Sequence, residues 1–288
     1  MLDPYESAQI IAKKIKDGLV SSYEVVQASI ERIEIFDKQI NSVVVRDFEE
    51  ALLKARQADL KQSKNNTLGP LHGVPMTIKE AFDIADHPTT WGVSKFQKNI
   101  AKEDSLIVEK LKNAGAIFLG KTNVPEMLSD WQSFNKIYGT TNNPWDHKRS
   151  PGGSSGGSAA ALAAGFISLE IGSDIGGSIR GPSHYCGVYG HKPSFGIVPM
   201  DGHSIPNLEI DLDLLVAGPL ARTAGDLRLA LNTIKGPTRQ NSEAWNIKLP
   251  ETKYHSLSNL KVAICIDQKM CKLDQEIIEK LSKIANFL

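Results

Sequence analysis

Three stretches of this sequence hold residue types that could do chemistry, and each suggests a different reaction. Gly115-Ala-Ile-Phe-Leu-Gly120-Lys121-Thr122 fits the pattern of a phosphate-cradling nucleotide loop letter for letter. Gly153-Ser-Ser155-Gly-Gly157 fits the GxSxG elbow, in which Ser155 would be an exposed nucleophile at the end of a strand. The third is a pair of glycine- and serine-rich clusters, residues 150–165 and 171–182, lying downstream of Lys79. A serine hydroxyl is a poor nucleophile until a neighbour accepts its proton, and a lysine can accept it only when neutral.

The flanks decide against the first two. A phosphate cradle needs a strand before its first glycine and a helix after Lys-Thr. Here residues 105–113 read as a helix, Gly115 as its C-cap and residues 116–119 as a strand, and Asn123-Val-Pro125 obstructs a following helix. An elbow serine ends a strand, but residues 142–151 (NNPWDHKRSP) are turn-forming. A flexible linker fits poorly too, since residues 159–164 continue as a helix-forming apolar run.

The third reading gains from its company. The stretch Ser150-Pro-Gly-Gly-Ser-Ser-Gly-Gly-Ser158 through Gly165, then Ile171-Gly-Ser-Asp-Ile-Gly-Gly-Ser-Ile-Arg-Gly-Pro182, resembles the signature region of the amidase signature family. Gly73-Val-Pro-Met-Thr-Ile-Lys79-Glu resembles that family's lysine strand, and Gly120-Lys-Thr-Asn-Val-Pro-Glu126 its substrate-loop segment. Cys186-Gly-Val-Tyr-Gly-His-Lys-Pro193 and Gly218-Pro-Leu-Ala-Arg222 fit downstream, in the same order.

The resemblance implies a Ser-Ser-Lys triad in an amide hydrolase: Ser178 as nucleophile, Ser154 as bridging serine after a cis peptide bond, and Lys79 as base. It implies an oxyanion hole from the backbone N–H groups of Ile175, Gly176, Gly177 and Ser178, with Ser155, Asp174 and Arg180 holding that turn. Met127 and Trp131 are expected at the acyl pocket, which would favour apolar substrates. No metal or cofactor is required. At an ordinary pKa of about 10.4 only a few lysines in ten thousand are neutral at pH 7, so Lys79 must be desolvated.

Those residues need a scaffold. Residues 5–16 and the run after Ser21-Ser-Tyr-Glu24, a capping box, read as helices, and so do residues 48–60. Residues 41–45, 74–78, 116–119 and 166–171 read as strands. Met76 and Ile78 alternate with Thr77 and Lys79, which places the lysine on the strand face opposite Ile78. The predicted fold class is α/β, a mixed sheet flanked by helices in the amidase signature manner. Its segments are a helical 1–65, a signature core 66–235, a surface connection 236–258, and a strand (260–266) with a helix from about Asp274 that begin an incomplete C-terminal portion.

Lys plus Arg and Asp plus Glu both number 33, so the net charge is zero and no field favours nucleic acid or an anionic membrane. Cys186, Cys265 and Cys271 lack CxxC spacing and read as buried free thiols of a reducing compartment. The acidic N-terminus and the lack of a long apolar run point to a soluble, cytoplasmic protein. His184 and His191 read as structural histidines, and Cys186 as a packed residue.

His191 stands where the family usually has leucine, and Ser173 where it often has threonine. Family members also continue well past residue 288, so a truncated pocket open to water would re-solvate Lys79 and disable it. The alternatives are thus a catalytically impaired homologue and the amidase subunit of a tRNA-dependent amidotransferase. A homo-oligomer or a complementing subunit would then complete the pocket.

Overall fold

The computed structural model describes residues 3–64, 68–206, 208, 212–251, 256–266 and 272–288. The chain divides into two units, Met1–Ile247 and Lys248–Leu288.

In the first unit the elements run α1 (Ala8–Lys16), α2 (Ser22–Ile40), β1 (Val43–Arg46), α3 (Phe48–Ser63), β2 (Pro75–Lys79), α4 (Leu106–Asn113) and β3 (Ile117–Thr122). There follow the short strands β4 (Phe134–Asn135) and β5 (Gly139–Thr140), then α5 (Gly156–Ala163), β6 (Leu169–Asp174) and α6 (Arg180–Cys186). The unit closes with β7 (Tyr189–Gly190), β8 (Val216–Ala221) and α7 (Ala224–Ile234). The capping box opens α2 as expected: Ser21 Oγ accepts from Glu24 N at 3.0 Å, and Ser21 N donates to Glu24 Oε2 at 2.8 Å.

One six-stranded mixed sheet has the order β1-β3-β2-β6-β8-β7. Its centre, β3-β2-β6, is parallel, whereas β1, β8 and β7 pair antiparallel with their neighbours. Parallel strands with helices on both faces are buried throughout, and every residue of β2, β3 and β6 is buried. On one face Met76, Ile78, Leu169, Ile171, Ala217 and Ala221 pack with residues of α1, α4 and α7. On the other, Ile117, Leu119 and Leu220 pack with α2, α3 and α5.

The alternation in β2 turns Thr77 and Lys79 away from Met76 and Ile78. Because β2, β3 and β6 run in parallel, their last residues, Lys79, Thr122 and Asp174, arrive at one rim of the sheet. Helix α5 fits closely against this region: a Cβ on its Gly157 would lie 2.3 Å from Asn123 N, just past the end of β3.

In the second unit α8 (Gln275–Phe287) forms where a helix from Asp274 was expected, with Asp274 as its N-cap residue. The strand expected at 260–266 does not form: these residues are irregular and mostly exposed. A β-branched run becomes a strand only by pairing its backbone, and among the described residues of this unit no other strand is present to pair with it. Cys265, expected to be buried, is exposed in the same stretch, and Cys271 lies outside the described residues. Among the described residues no helix is long and apolar enough to cross a membrane.

Candidate active site

Lys79 ends β2 with its side chain fully buried. Its Nζ lies 2.7 Å from Ser154 Oγ, 3.0 Å from Ser173 Oγ and 3.3 Å from the Ser173 carbonyl oxygen. All three partners are neutral. Burial therefore pushes the amine down to about 7, against a weaker upward pull from the Asp174 carboxylate.

Ser154 sits in the turn before α5, and the Gly153–Ser154 peptide bond is cis. Ser155 is the N-cap residue of α5 and completely buried, unlike the exposed serine of a nucleophile elbow. Its hydroxyl lies 3.3 Å from the Ser173 carbonyl, and its N–H donates to the Ser178 carbonyl at 3.1 Å. Ser155 thereby ties the turn carrying Ser154 to both the end of β6 and Ser178. The approach depends on Gly172, where a Cβ would lie 2.7 Å from Ser155 Oγ.

After β6 the chain turns through residues 175–178 into α6. Asp174 organises this turn: Oδ1 accepts from Gly177 N at 2.8 Å, and Oδ2 from Ile179 N at 3.0 Å and Arg180 N at 3.3 Å. Arg180 clamps the same carboxylate through Nε at 3.1 Å and Nη2 at 2.9 Å. Burial works to raise the carboxyl's pKa, but the donors of Arg180, Ile179 and Gly177 outweigh it and hold it at about 2.

The N–H of Gly177, expected in the oxyanion hole, is thus engaged by Asp174. Among the described residues the N–H groups of Ile175, Gly176 and Ser178 meet no acceptor, so three donors remain. The last contact of a triad is also open, because among the described residues no hydrogen bond joins Ser154 Oγ to Ser178 Oγ.

Trp131 lies over this turn, its Nε1 donating to the Gly176 carbonyl at 3.2 Å while 69% of the residue stays exposed. Met127 is 41% exposed and its N–H donates to the Trp91 carbonyl at 2.8 Å. Cys186 is buried, with its thiol pushed up to about 12, and His191 is held by its backbone N–H to the Pro219 carbonyl. Lys121, the lysine of the nucleotide-loop pattern, is buried in β3 and donates to the Pro88 carbonyl and to Thr89 Oγ1. The C-cap residue of α4 is Ala114, and Gly115, expected as the cap, follows it at φ +94°.

Two groups of site residues escape the sequence reading. Ser173 joins Lys79 to His203, whose Nε2 lies 2.9 Å from Ser173 Oγ. His203 follows an irregular stretch far along the chain, and no periodicity or motif marks it. Glu170 is fully buried one strand from Lys79, taking hydrogen bonds from Thr77 and Thr122, and burial pushes it up to about 8. A carboxylate inside an apolar strand run is a signal for this network, and Thr77, two residues before Lys79, shares its face.

The amidase family profile matches residues 24–288. The chain is 38% identical to human (Homo sapiens) fatty-acid amide hydrolase 2, covering 96% of this chain and 53% of that protein. It is 41% identical to a glutamyl-tRNA(Gln) amidotransferase subunit from Carboxydothermus hydrogenoformans, over 86% of this chain and 50% of that one. A solved bacterial aryl acylamidase of the amidase signature family superposes with a TM-score of 0.79 at 33% identity, covering 85% of this chain and 50% of that one. The chain spans about half the length of these relatives. On the family match and these likenesses, the chain belongs to the amidase family, whose members are the amidase signature enzymes.

Proposed function

We propose that this chain hydrolyses a carboxylic amide through an acyl-enzyme on Ser178. The observation that carries the reading is the fully buried Lys79 amine 2.7 Å from Ser154 Oγ, held near neutrality by desolvation.

Ser178 Oγ attacks the carbonyl carbon, its proton passing to Ser154 as Ser154's own proton passes to Lys79 Nζ. Negative charge gathers on the carbonyl oxygen, facing the N–H groups of Ile175, Gly176 and Ser178. Collapse breaks the C–N bond, and the leaving amine takes a proton back along the same relay. Water then attacks the ester by the reverse route, giving the acid and restoring Ser178. Ser178 has to bring its hydroxyl to Ser154, and among the described residues that hydroxyl has no hydrogen-bond partner to break. Asp174, Arg180 and Ser155 hold the two serine turns in place. Exposed Trp131 and Ile175 beside the donors suit an apolar acyl group, as does exposed Met127.

A fluorophosphonate probe followed by peptide mass spectrometry tests the assignment. Labelling of Ser178 that disappears in Ser178→Ala supports it, whereas no labelling, or labelling of Ser155, overturns it.

The identity to an amidotransferase subunit favours a second reading, in which ammonia released from glutamine passes to a partner protein. Glutamine hydrolysis that appears only when a partner is added distinguishes the two.

A further inference from the structure

His203 is buried, with its ring edge-on to Phe82 (centroids 4.3 Å apart) and Trp91 (5.0 Å). Its Nε2 lies 2.9 Å from Ser173 Oγ, and that hydroxyl lies 3.0 Å from Lys79 Nζ. A hydroxyl has one proton to give, so the direction of this chain of hydrogen bonds is set at its end.

When Lys79 is an ammonium, its three N–H groups match three acceptors: Ser154 Oγ, Ser173 Oγ and the Ser173 carbonyl. Ser173 Oγ is then an acceptor from Lys79, and a bare His203 Nε2 gives its own proton an acceptor, the ring proton then sitting on Nδ1, which among the described residues has no hydrogen-bond partner. On losing a proton the amine keeps two N–H groups for Ser173, and its lone pair is left facing Ser154. If His203 instead carried its proton on Nε2, Ser173 Oγ would accept from both His203 and the Lys79 ammonium, and once Lys79 is neutral the Ser173 proton would be free to take the lone pair needed for Ser154's proton.

We propose that His203 is a positioning residue: by accepting the Ser173 hydroxyl proton at Nε2, it fixes Ser173 as an acceptor and aims the lone pair of Lys79 at Ser154. This rests on the reading of Lys79 as the base. The ring is suited to stay neutral. Phe82 and Trp91 carry no charge, burial pushes the imidazole down to about 3, and the charge of Lys79 pushes the same way. Asp201, two residues before it, accepts from Arg239 N at 3.0 Å.

The tautomer is measurable without turnover. In the full chain with 15N-labelled histidine, long-range 1H–15N correlations, assigned by loss of the signal in His203→Gln, report which nitrogen carries the proton. A bare Nε2 from pH 6 to 9 is expected; a proton on Nε2, or an imidazolium in that range, overturns the proposal. Hydrolysis of octanoyl p-nitroanilide gives the second readout. His203→Leu is expected to lower kcat on the order of 100-fold with little change in KM. His203→Gln, whose amide oxygen can accept the same proton, is expected to recover most of it. Equal rates for His203→Leu and the unmodified protein overturn the proposal. An unmodified protein that neither takes a fluorophosphonate nor cleaves the anilide fails the amidase reading instead, and the tautomer still decides the role of His203.

Discussion

Two lysines end up fully buried on neighbouring parallel strands, Lys79 at the end of β2 and Lys121 near the end of β3. They differ in what surrounds them. Lys79 is ringed by two hydroxyls and a carbonyl, with one carboxylate, Asp174, opposing its desolvation, and it sits at about 7. Burial lowers Lys121 as well, but it faces the carboxylates of both Glu80 and Asp83, which pull it back up to about 8. A buried amine among hydroxyls is suited to exchange protons, while one in the field of two carboxylates is drawn back toward its charged form. The same residue type at similar depth thus acquires two roles from its neighbours.

The sharpest way to break this contrast is to remove the amine near neutrality. Lys79→Met is expected to lower amide turnover about 1000-fold or more, while Lys121→Met, where it folds, keeps the same pH profile. In the unmodified protein kcat/KM should rise with pH through about 7, as Lys79 loses its proton. A limb near 8 that vanished in Lys121→Met would reverse the two assignments.

Stability should separate them in the opposite sense. Lys121→Met leaves Glu80 and Asp83 without their countercharge and is expected to cost about 3 kcal/mol, read by denaturant titration at pH 7. The pKa of Lys79 is depressed from 10.5 to about 7, so protonation favours the unfolded chain. Its contribution is present above about 10.5 and lost as pH falls toward 7. Lys79→Met should therefore stabilise the fold at pH 6 more than at pH 10.

A further pH contrast belongs to Glu170, whose carboxyl is raised from 4.5 to about 8. A raised acid contributes fully below 4.5 and loses that contribution as pH rises through 8. Glu170→Gln should gain several kcal/mol more at pH 9 than at pH 5, read as the difference in Tm. Equal shifts at both pH values would mean that Glu170 is ionised when buried.

Much of this contrast is visible in the residues themselves. The alternation of residues 74–79 places Lys79 on the face away from Ile78, and context around Gly115 turns a nucleotide-loop match into a helix cap followed by a strand. Local patterns carry such information because strand alternation and helix caps involve residues close in sequence. The engagement of Gly177 by Asp174 follows instead from the path of one turn, which glycine spacing does not specify. His203 reaches Ser173 only through tertiary folding. The 260–266 stretch shows the converse: a strand-like composition without a partner remains irregular.

The shared rim of β2, β3 and β6 divides the labour of change. The groups proposed to break the bond hang from strand ends, or from turns stitched to them by Asp174 and Ser155, and are fixed by the packing of the whole sheet. Residues past those ends, such as Met127 and Trp131, belong to connections that the sheet does not constrain. Substitutions there can reshape what the proposed site would accept while leaving the proposed proton relay in place.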